Sequence, residues 1–169
     1  DFELQLGVAV VVVGAGRMGD IRATNLASDP RVSEIVIANR KPARADDLAR
    51  RIGGRTVDWE TAAQTPADAY VMALATDAHG DMLDQLLEHC RPILCEKPIA
   101  LTIADTQQIC DAVENSGAPM QIGFQRRFDA GMARARARHA RGEAEQGSHQ
   151  HRFGRILKRI PDYLKVGDR

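Results

Sequence analysis

Residues 6–19 read LGVAVVVVGAGRMG, an unbroken valine-rich apolar run that leads directly into glycines spaced G-x-G-x-x-G. An apolar run of this kind is typical of a strand that is buried on both faces of a parallel sheet. Residues 17–28 then have the pattern of a helix, which Asp29-Pro30 ends. The stretch therefore predicts a strand, a glycine loop and a helix, in the order that phosphate-binding turns use.

Each glycine of this loop has a separate task in a dinucleotide-binding turn. Gly14 permits the tight turn, Gly16 lets a pyrophosphate approach the backbone, and Gly19 lets the helix pack close to the strand. The free N–H groups at the helix start, which include those of Arg17 and Met18, face the anion. We therefore predict that these five residues bind a dinucleotide. The alternative is a tight strand-to-helix turn without a ligand.

The rest of the chain continues the alternation of strands and helices. Strand-like runs are predicted at residues 34–38, 55–57, 69–75, 92–95 and 119–123, and helices at residues 42–52, 79–90 and 102–116, with Thr102 or a neighbour as the cap of the last. Alternation of this kind predicts an α/β fold with a doubly wound parallel sheet. After Phe128 the pattern weakens, although residues 130–142 could form a helix. We assign residues 1–123 to a nucleotide-binding domain and residues 124–169 to the start of a truncated or divergent substrate domain.

The composition indicates a globular chain without a strong electrostatic partner. Of the 169 residues, 44% are hydrophobic and 27% are charged, and the net charge is zero. No apolar run approaches the roughly 20 residues of a membrane helix, and the first residues lack the basic start of a signal peptide. Three cysteines without a spaced framework argue against a disulfide scaffold, and no zinc-type cluster is present. The sequence predicts no membrane partner, no metal site and a cytoplasmic location.

Charge is distributed unevenly along the chain. Residues 126–169 contain 12 basic and 5 acidic residues, a balance of +7, so the preceding part carries −7. A basic tail is one sign of nucleic-acid binding, but no interleaved aromatic residues or known motif accompany it. We therefore expect no nucleic-acid partner, and interpret the tail as a solvated face or as an interface without its partner.

The residues after the second predicted strand bear on the choice of cofactor. About 20 residues past the glycine loop, an Asp or Glu would bind the adenosine ribose of NAD. This chain has Asn39-Arg40-Lys41 instead, so no carboxylate repels a 2′-phosphate and two cations can pair with one. We predict that Asn39 and Arg40 contact the cofactor and that NADP is slightly favoured over NAD. The alternative for the two cations is a solvated loop.

A lysine at the end of a strand is the candidate catalytic group. Cys95-Glu96-Lys97-Pro98 ends the fifth predicted strand, and ligands sit at the carboxyl ends of strands in this architecture. A lysine there can donate a hydrogen bond to a hydroxyl or carbonyl that undergoes hydride transfer. Taken alone, Glu96-Lys97 would be an ordinary surface pair. The peptide bond before Pro98 is a candidate for the cis form.

Four segments together carry a family resemblance. They are the glycine loop at 14–19, ATDAH at 75–79, CEKPI at 95–99 and GFQRRFD at 123–129. In order and spacing the chain resembles the Gfo/Idh/MocA oxidoreductases, and among them inositol 2-dehydrogenases, over about residues 5 to 130. The resemblance implies oxidation of a polyol or sugar hydroxyl, with hydride passing to NAD(P)⁺, and homo-oligomers in the full-length family.

The resemblance also implies roles for single residues. Lys97 would be the catalytic lysine, near both the nicotinamide ribose and the reacting hydroxyl, and Glu96 would lie beside the nicotinamide. Thr76 and His79 would line the cofactor cleft, with an ordinary residue of a helix start as the alternative interpretation of His79. In the last segment, Gln125 would sit near the nicotinamide.

The resemblance ends near residue 130. Arg127 would lie at the substrate entrance, with surface charge as the alternative interpretation. Family members are longer, and their second domain supplies an Asp and a His that complete proton transfer with the lysine. No Asp-x-x-x-His follows Asp129 here, residues 163–167 resemble the stretch before that pair, and residues 143–160 match nothing. Two functions thus remain open: a dehydrogenase, or a truncated module that binds nucleotide without turnover.

Overall fold

The computed structural model describes residues 7–141 of the chain. Within that range the strands are β1 (Val8–Val13), β2 (Val32–Ala38), β3 (Arg55–Val57), β4 (Ala69–Met72), β5 (Ile93–Cys95) and β6 (Met120–Ile122). The α-helices are α1 (Arg17–Ala27), α2 (Pro42–Ile52), α3 (His79–Leu87), α4 (Ile103–Ser116) and α5 (Ala130–Ala140). Short 3₁₀ turns cover Trp59–Thr61, Thr76–Ala78 and Gln125–Phe128. None of these helices is long and apolar enough to span a membrane.

The six strands form one parallel sheet in the order β3-β2-β1-β4-β5-β6. This order confirms the predicted doubly wound fold. The chain winds outward on one side of β1 and then crosses to β4 on its other side, so the order reverses between β1 and β4. Such a switch point opens a crevice at the carboxyl ends of the strands, where ligands bind in open α/β sheets.

Both faces of the sheet are covered, which explains the continuous valine run of β1. Val10 and Val12 pack on one face with residues of α1 and α2 such as Ala23 and Leu48. Val11 and Val13 point to the opposite face, where they pack with residues of α3 and α4: Met82, Leu83, Leu86, Leu87 and Ile109. A strand with a core on each side needs apolar residues at every position rather than at alternate ones.

Two element ends differ from the sequence prediction by three residues, and the other differences are of one or two residues. β4 ends at Met72, not at residue 75, because Met72 pairs with the last residues of β1 and β5 and the chain then turns into the edge loop. α3 ends at Leu87, not at Cys90, which has a left-handed φ of 49°. By contrast, the predicted cap at Thr102 is confirmed, since its side chain accepts a hydrogen bond from the Asp105 amide.

The chain separates into two compact units, one ending at Phe124 and the other beginning at Gln125. In the described part of the second unit, Asp129 caps α5 by accepting a hydrogen bond from the Met132 amide at 2.8 Å. This helix confirms the prediction over residues 130–140. The interpretations of residues 143–160 and 163–167 concern positions outside the described range, and the assignment of a substrate domain stays a prediction.

Candidate functional site

The glycine loop lies at the switch point and is held tightly to the sheet. Gly14 has a φ of 107°, a conformation that favours glycine, and its amide donates to the Ala38 carbonyl of β2 at 2.8 Å. A Cβ on Gly14 would overlap the Ala73 carbonyl, and one on Gly19 would overlap the Gly14 carbonyl oxygen. Two of the three glycines are therefore required by the fold itself.

Gly16 is the glycine that the fold does not require. It has an ordinary extended conformation as the N-cap of α1, and among the described residues no atom lies within 4 Å of the place where its Cβ would be. The open space adjoins the start of α1, whose first amides have no side-chain cap there. A backbone cradle without a Cβ and with free amides fits the pyrophosphate of a dinucleotide.

Asn39 joins the end of β2 to this loop. Its Oδ1 accepts a hydrogen bond from the Ala15 amide at 3.0 Å, and its Nδ2 donates to the Lys41 carbonyl at 2.9 Å. These contacts fix the shape of the loop from the neighbouring strand. A direct contact of Asn39 with the cofactor stays a prediction.

Arg40 is exposed and lies over the only tryptophan of the sequence. Its guanidinium carbon is 5.0 Å from the centre of the Trp59 ring, in cation–π geometry. The stacking restricts a side chain that would otherwise move freely in water. Sequence reasoning did not find Trp59, because its approach to Arg40 depends on the pairing of β2 with β3.

A groove of about 460 Å³ opens between the glycine loop, α1 and α2. Arg51 on its wall hydrogen-bonds to Asp20 at 3.0 Å, which lowers the pKa of that carboxyl. Arg17 and Arg44 also line the groove, and within residues 7–141 neither forms an ion pair. The groove therefore carries an excess of positive charge next to Gly16.

Lys97 and Glu96 both follow the carboxyl end of β5, but they differ in their exposure to solvent. Lys97 is exposed at the edge of the sheet, whereas Glu96 is only 4% exposed. The Glu96 carboxylate accepts two hydrogen bonds on Oε1 from Arg22 of α1, from Nε at 2.8 Å and from Nη2 at 2.6 Å. Arg22 was not predicted from the sequence; its one signal was its position beside Gly19 and Ala23 on the buried face of α1.

His79 is buried rather than open to solvent, with 1% of its surface exposed. Its Nδ1 lies 3.1 Å from the Ile99 carbonyl oxygen and its Nε2 lies 3.3 Å from the Leu74 carbonyl oxygen. The ring thus joins the loop after β4 to the loop that follows Lys97. Thr76, half-buried, begins the turn between Leu74 and His79. For both residues, contact with the cofactor stays a prediction.

Burial also determines the chemistry of Cys95, which ends β5. Removal from water, together with the negative charge of Glu96, raises the pKa of the Cys95 thiol to about 12. Its Sγ donates to the Glu96 carbonyl at 3.4 Å. The thiol is therefore a protonated packing group at neutral pH. The peptide bond between Lys97 and Pro98, a candidate for the cis form, is cis.

The structure brings most of the predicted site residues to one edge of the sheet. The glycine loop, Asn39, Thr76, Glu96 and Lys97 all follow the carboxyl ends of parallel strands. Gln125 and Arg127 belong to the second compact unit, in the turn Gln125–Phe128. Their predicted roles are not tested by the geometry of the first unit.

Comparison with known proteins identifies the family of the chain. The model of the Gfo/Idh/MocA oxidoreductase family, with an NAD-binding Rossmann fold, matches residues 8–124. The chain belongs to this family. The family match covers the whole sheet, from β1 to β6, together with Lys97.

Relatives within the Gfo/Idh/MocA family include inositol dehydrogenases. The chain is 36% identical over 138 residues to the myo-inositol dehydrogenase Hyg17 of Streptomyces leeuwenhoekii, covering 80% of this chain and 42% of the relative. It is 31% identical to the scyllo-inositol 2-dehydrogenase (NAD(+)) of Bacillus subtilis strain 168, covering 80% and 41%. The crystal structure of a myo-inositol dehydrogenase from Corynebacterium glutamicum superposes with a TM-score of 0.70 at 33% identity, covering 83% and 43%. The chain thus spans less than half the length of these relatives.

Proposed function

We propose that the chain forms the nucleotide-binding half of an NAD(P)-dependent dehydrogenase that acts on a polyol or sugar hydroxyl, of the inositol type. The observation that carries the proposal is the open cradle at Gly16, on the same sheet edge as the exposed Lys97 and two strands away from it. Neighbouring strands are about 4.8 Å apart, so an extended dinucleotide can bridge this distance. The names of the relatives support inositol as the substrate class.

The residues at the carboxyl ends of the strands each have a proposed role. A bound dinucleotide would supply the nicotinamide that accepts hydride. The amides at the start of α1 bind the pyrophosphate, and the Lys97 ammonium donates a hydrogen bond to the hydroxyl oxygen. That hydrogen bond stabilises the negative charge that develops as the hydroxyl loses its proton. Thr76 and His79 border the cofactor cleft.

The second unit is proposed to contribute residues that contact the nicotinamide and the substrate. Gln125 would lie near the nicotinamide and Arg127 at the substrate entrance. A small polyol or sugar is the proposed substrate, and we expect no nucleic-acid or membrane partner. A homo-oligomer and a cytoplasmic location complete the proposal for the full-length protein.

The cofactor preference is proposed to be NADP over NAD. Support comes from the exposed Arg40 guanidinium stacked on Trp59, the adjacent Lys41, and the excess positive charge of Arg17 and Arg44 in the groove beside Gly16. Cations near the adenosine end of the cofactor fit a 2′-phosphate better than the neutral ribose hydroxyl of NAD. One relative is named as an NAD(+) enzyme, so the preference is a property proposed for this chain.

Substitution of Arg40 tests this preference. We expect Arg40→Met to weaken NADPH binding by about tenfold and NADH binding by less than about twofold, because only NADPH loses a phosphate contact. The measurement is calorimetric titration of the purified chain with both cofactors. Arg31→Met is the matched control, since Arg31 pairs with Asp29 before β2, at the opposite end of the sheet from the glycine loop. An equal loss for both cofactors in Arg40→Met would contradict the assignment.

A second candidate is a module that binds nucleotide without turnover. The matched stretch corresponds to 42% of the myo-inositol dehydrogenase Hyg17, and a nucleotide-binding half alone can bind cofactor without turnover. The two candidates differ in one assay, reduction of NADP⁺ or NAD⁺ in the presence of myo-inositol or scyllo-inositol. Turnover that disappears in Lys97→Ala supports the dehydrogenase, whereas cofactor binding without turnover supports the module.

A further inference from the structure

His79 is fully buried, although it is a polar residue at the first position of a helix. It begins α3, whose inward side chains belong to the core, and 1% of its own surface is exposed. Its Nδ1 lies 3.1 Å from the Ile99 carbonyl oxygen and 3.6 Å from Cys95 Sγ, and its Nε2 lies 3.3 Å from the Leu74 carbonyl oxygen. Such a ring has almost no surface for a cofactor to touch, but it ties a core helix to two loops at the edge of the sheet.

The segment that carries Lys97 has few other anchors. Residues 97–101 belong to no helix or strand, and the contact with His79 is the one hydrogen bond that they form within the described part of the chain. Before Lys97, the amide of the preceding residue donates to the last residue of β4 at 2.9 Å, and after it the Ile99 side chain packs against the core. Because apolar packing has no preferred direction, the hydrogen bond at Ile99 orients the backbone that follows Lys97.

We propose that His79 is a positioning residue, which donates a hydrogen bond from Nδ1 to the Ile99 carbonyl and thereby sets the position of Lys97 in the cofactor site. A carbonyl oxygen only accepts, so the ring takes part in this bond as the donor. This role rests on the proposed function, in which Lys97 lies near the nicotinamide ribose and the reacting hydroxyl. Since a displacement of about 1 Å weakens such contacts, loss of the bond should affect the nicotinamide end of the site and not the adenosine end.

Two variants of His79 separate the contributions of its ring nitrogens. The side-chain amide of asparagine reaches about as far as Nδ1, and that of glutamine about as far as Nε2. His79→Asn therefore keeps a donor toward Ile99, and its affinity for NADPH should stay within about twofold of the wild-type value. His79→Gln keeps only the donor toward Leu74, so we expect NADPH binding to weaken by about fivefold. Binding of 2′-phospho-ADP, the part of NADPH without the nicotinamide riboside, should weaken by less than about twofold.

Combination with Lys97→Met tests whether His79 acts through Lys97. If the bond to Ile99 serves to place the ammonium, His79→Gln adds less than about twofold to the loss of NADPH binding in Lys97→Met. General damage to the fold would instead weaken both ligands alike and would multiply the losses of the two single variants. His89→Asn is the matched control, because the His89 ring also lies 2.6 Å from a main-chain carbonyl oxygen, but beyond the other end of α3. It should leave both affinities within about twofold of the wild-type values.

The experiment is calorimetric titration of the purified chain and these variants with NADPH and 2′-phospho-ADP. Selective loss of NADPH binding in His79→Gln, absent in His79→Asn, supports the proposal. Unchanged NADPH binding in His79→Gln, equal weakening of both ligands, or multiplied losses in the double variant would overturn it. Where His79→Gln does not fold, weakened NADPH binding in a folded His79→Asn would still do so. Absence of NADPH binding by the wild-type chain would instead remove the proposed function, and the role of His79 with it.

Discussion

At the scale of single residues, Cys95 differs from the other two cysteines in burial and in acidity. Cys90 and Cys110 are exposed, whereas Cys95 is buried and the pKa of its thiol is raised to about 12. A thiol reacts as its thiolate, so at about pH 8 Cys95 is protonated and unreactive. We expect two thiols of the native chain to react with Ellman's reagent, and the third to react only after unfolding in guanidinium chloride.

A matched variant makes this thiol count specific. Cys95→Ala should leave the count of the native chain at two and reduce the count of the unfolded chain from three to two. Rapid reaction of three thiols in the native wild-type chain would show that the end of β5 is open to solvent, and would contradict the burial of Glu96 as well as that of Cys95.

Residue-scale predictions from sequence succeeded where a local pattern was sufficient. Lys97 could be assigned to the edge of the sheet because it directly follows a predicted strand. Arg22 and Trp59 were not found, since their partners Glu96 and Arg40 lie far away in sequence and meet only when the sheet has formed. Similarly, Cys90 was placed in a helix, because its left-handed backbone has no signal in a side chain that is ordinary for a helix.

At the scale of elements, the turn from β1 into α1 contains one glycine that is proposed to serve cofactor binding and another that the fold requires. Gly16→Ala should lower the free energy of unfolding by no more than about 1 kcal/mol, the cost of alanine at an N-cap, because Gly16 has an extended backbone and open space around it. The same methyl group narrows the proposed pyrophosphate cradle, so we expect NADPH binding to weaken by about tenfold or more. The measurements are thermal unfolding and calorimetric titration of the same protein preparation.

In the same turn, Gly19 is required for the stability of the fold. Gly19→Ala places a methyl group on the Gly14 carbonyl oxygen, so the free energy of unfolding should fall by about 3 kcal/mol. Gly80→Ala, which meets no described atom within 4 Å in α3, is the control and should cost neither stability nor binding. Equal stability losses in Gly16→Ala and Gly19→Ala would contradict this division of roles.

Element-scale prediction worked because periodicity and helix caps are local. The apolar run before Gly14 forms β1, Pro42 begins α2, and Gly53 and Gly117 end α2 and α4 in the left-handed conformation. The ends of β4 and α3 were predicted too long, because the length of a strand is set by its neighbours in the sheet. Met72 is the last residue of β4 that is paired on both sides.

At the scale of the whole molecule, the doubly wound sheet follows from the alternation of elements, whereas the roles proposed for the second unit do not. The alternation and the right-handed crossover rule lead to a sheet in which β1 and β4 are neighbours. Gln125 and Arg127 lie in the second compact unit, and their proposed roles depend on the family resemblance alone. The central claim therefore concerns the first unit: it folds into a competent cofactor site.

The most direct test of that claim uses Trp59, the only tryptophan of the chain, which lies under Arg40. Tryptophan emission overlaps the absorption of reduced nicotinamide, so a bound reduced cofactor quenches Trp59 by energy transfer. Titration of the purified chain with NADPH and NADH should give saturable quenching with sensitised nicotinamide emission, and NADPH should reach half-saturation at the lower concentration. Absence of saturable quenching by either cofactor up to about 1 mM would contradict the claim that the chain holds a working nucleotide site.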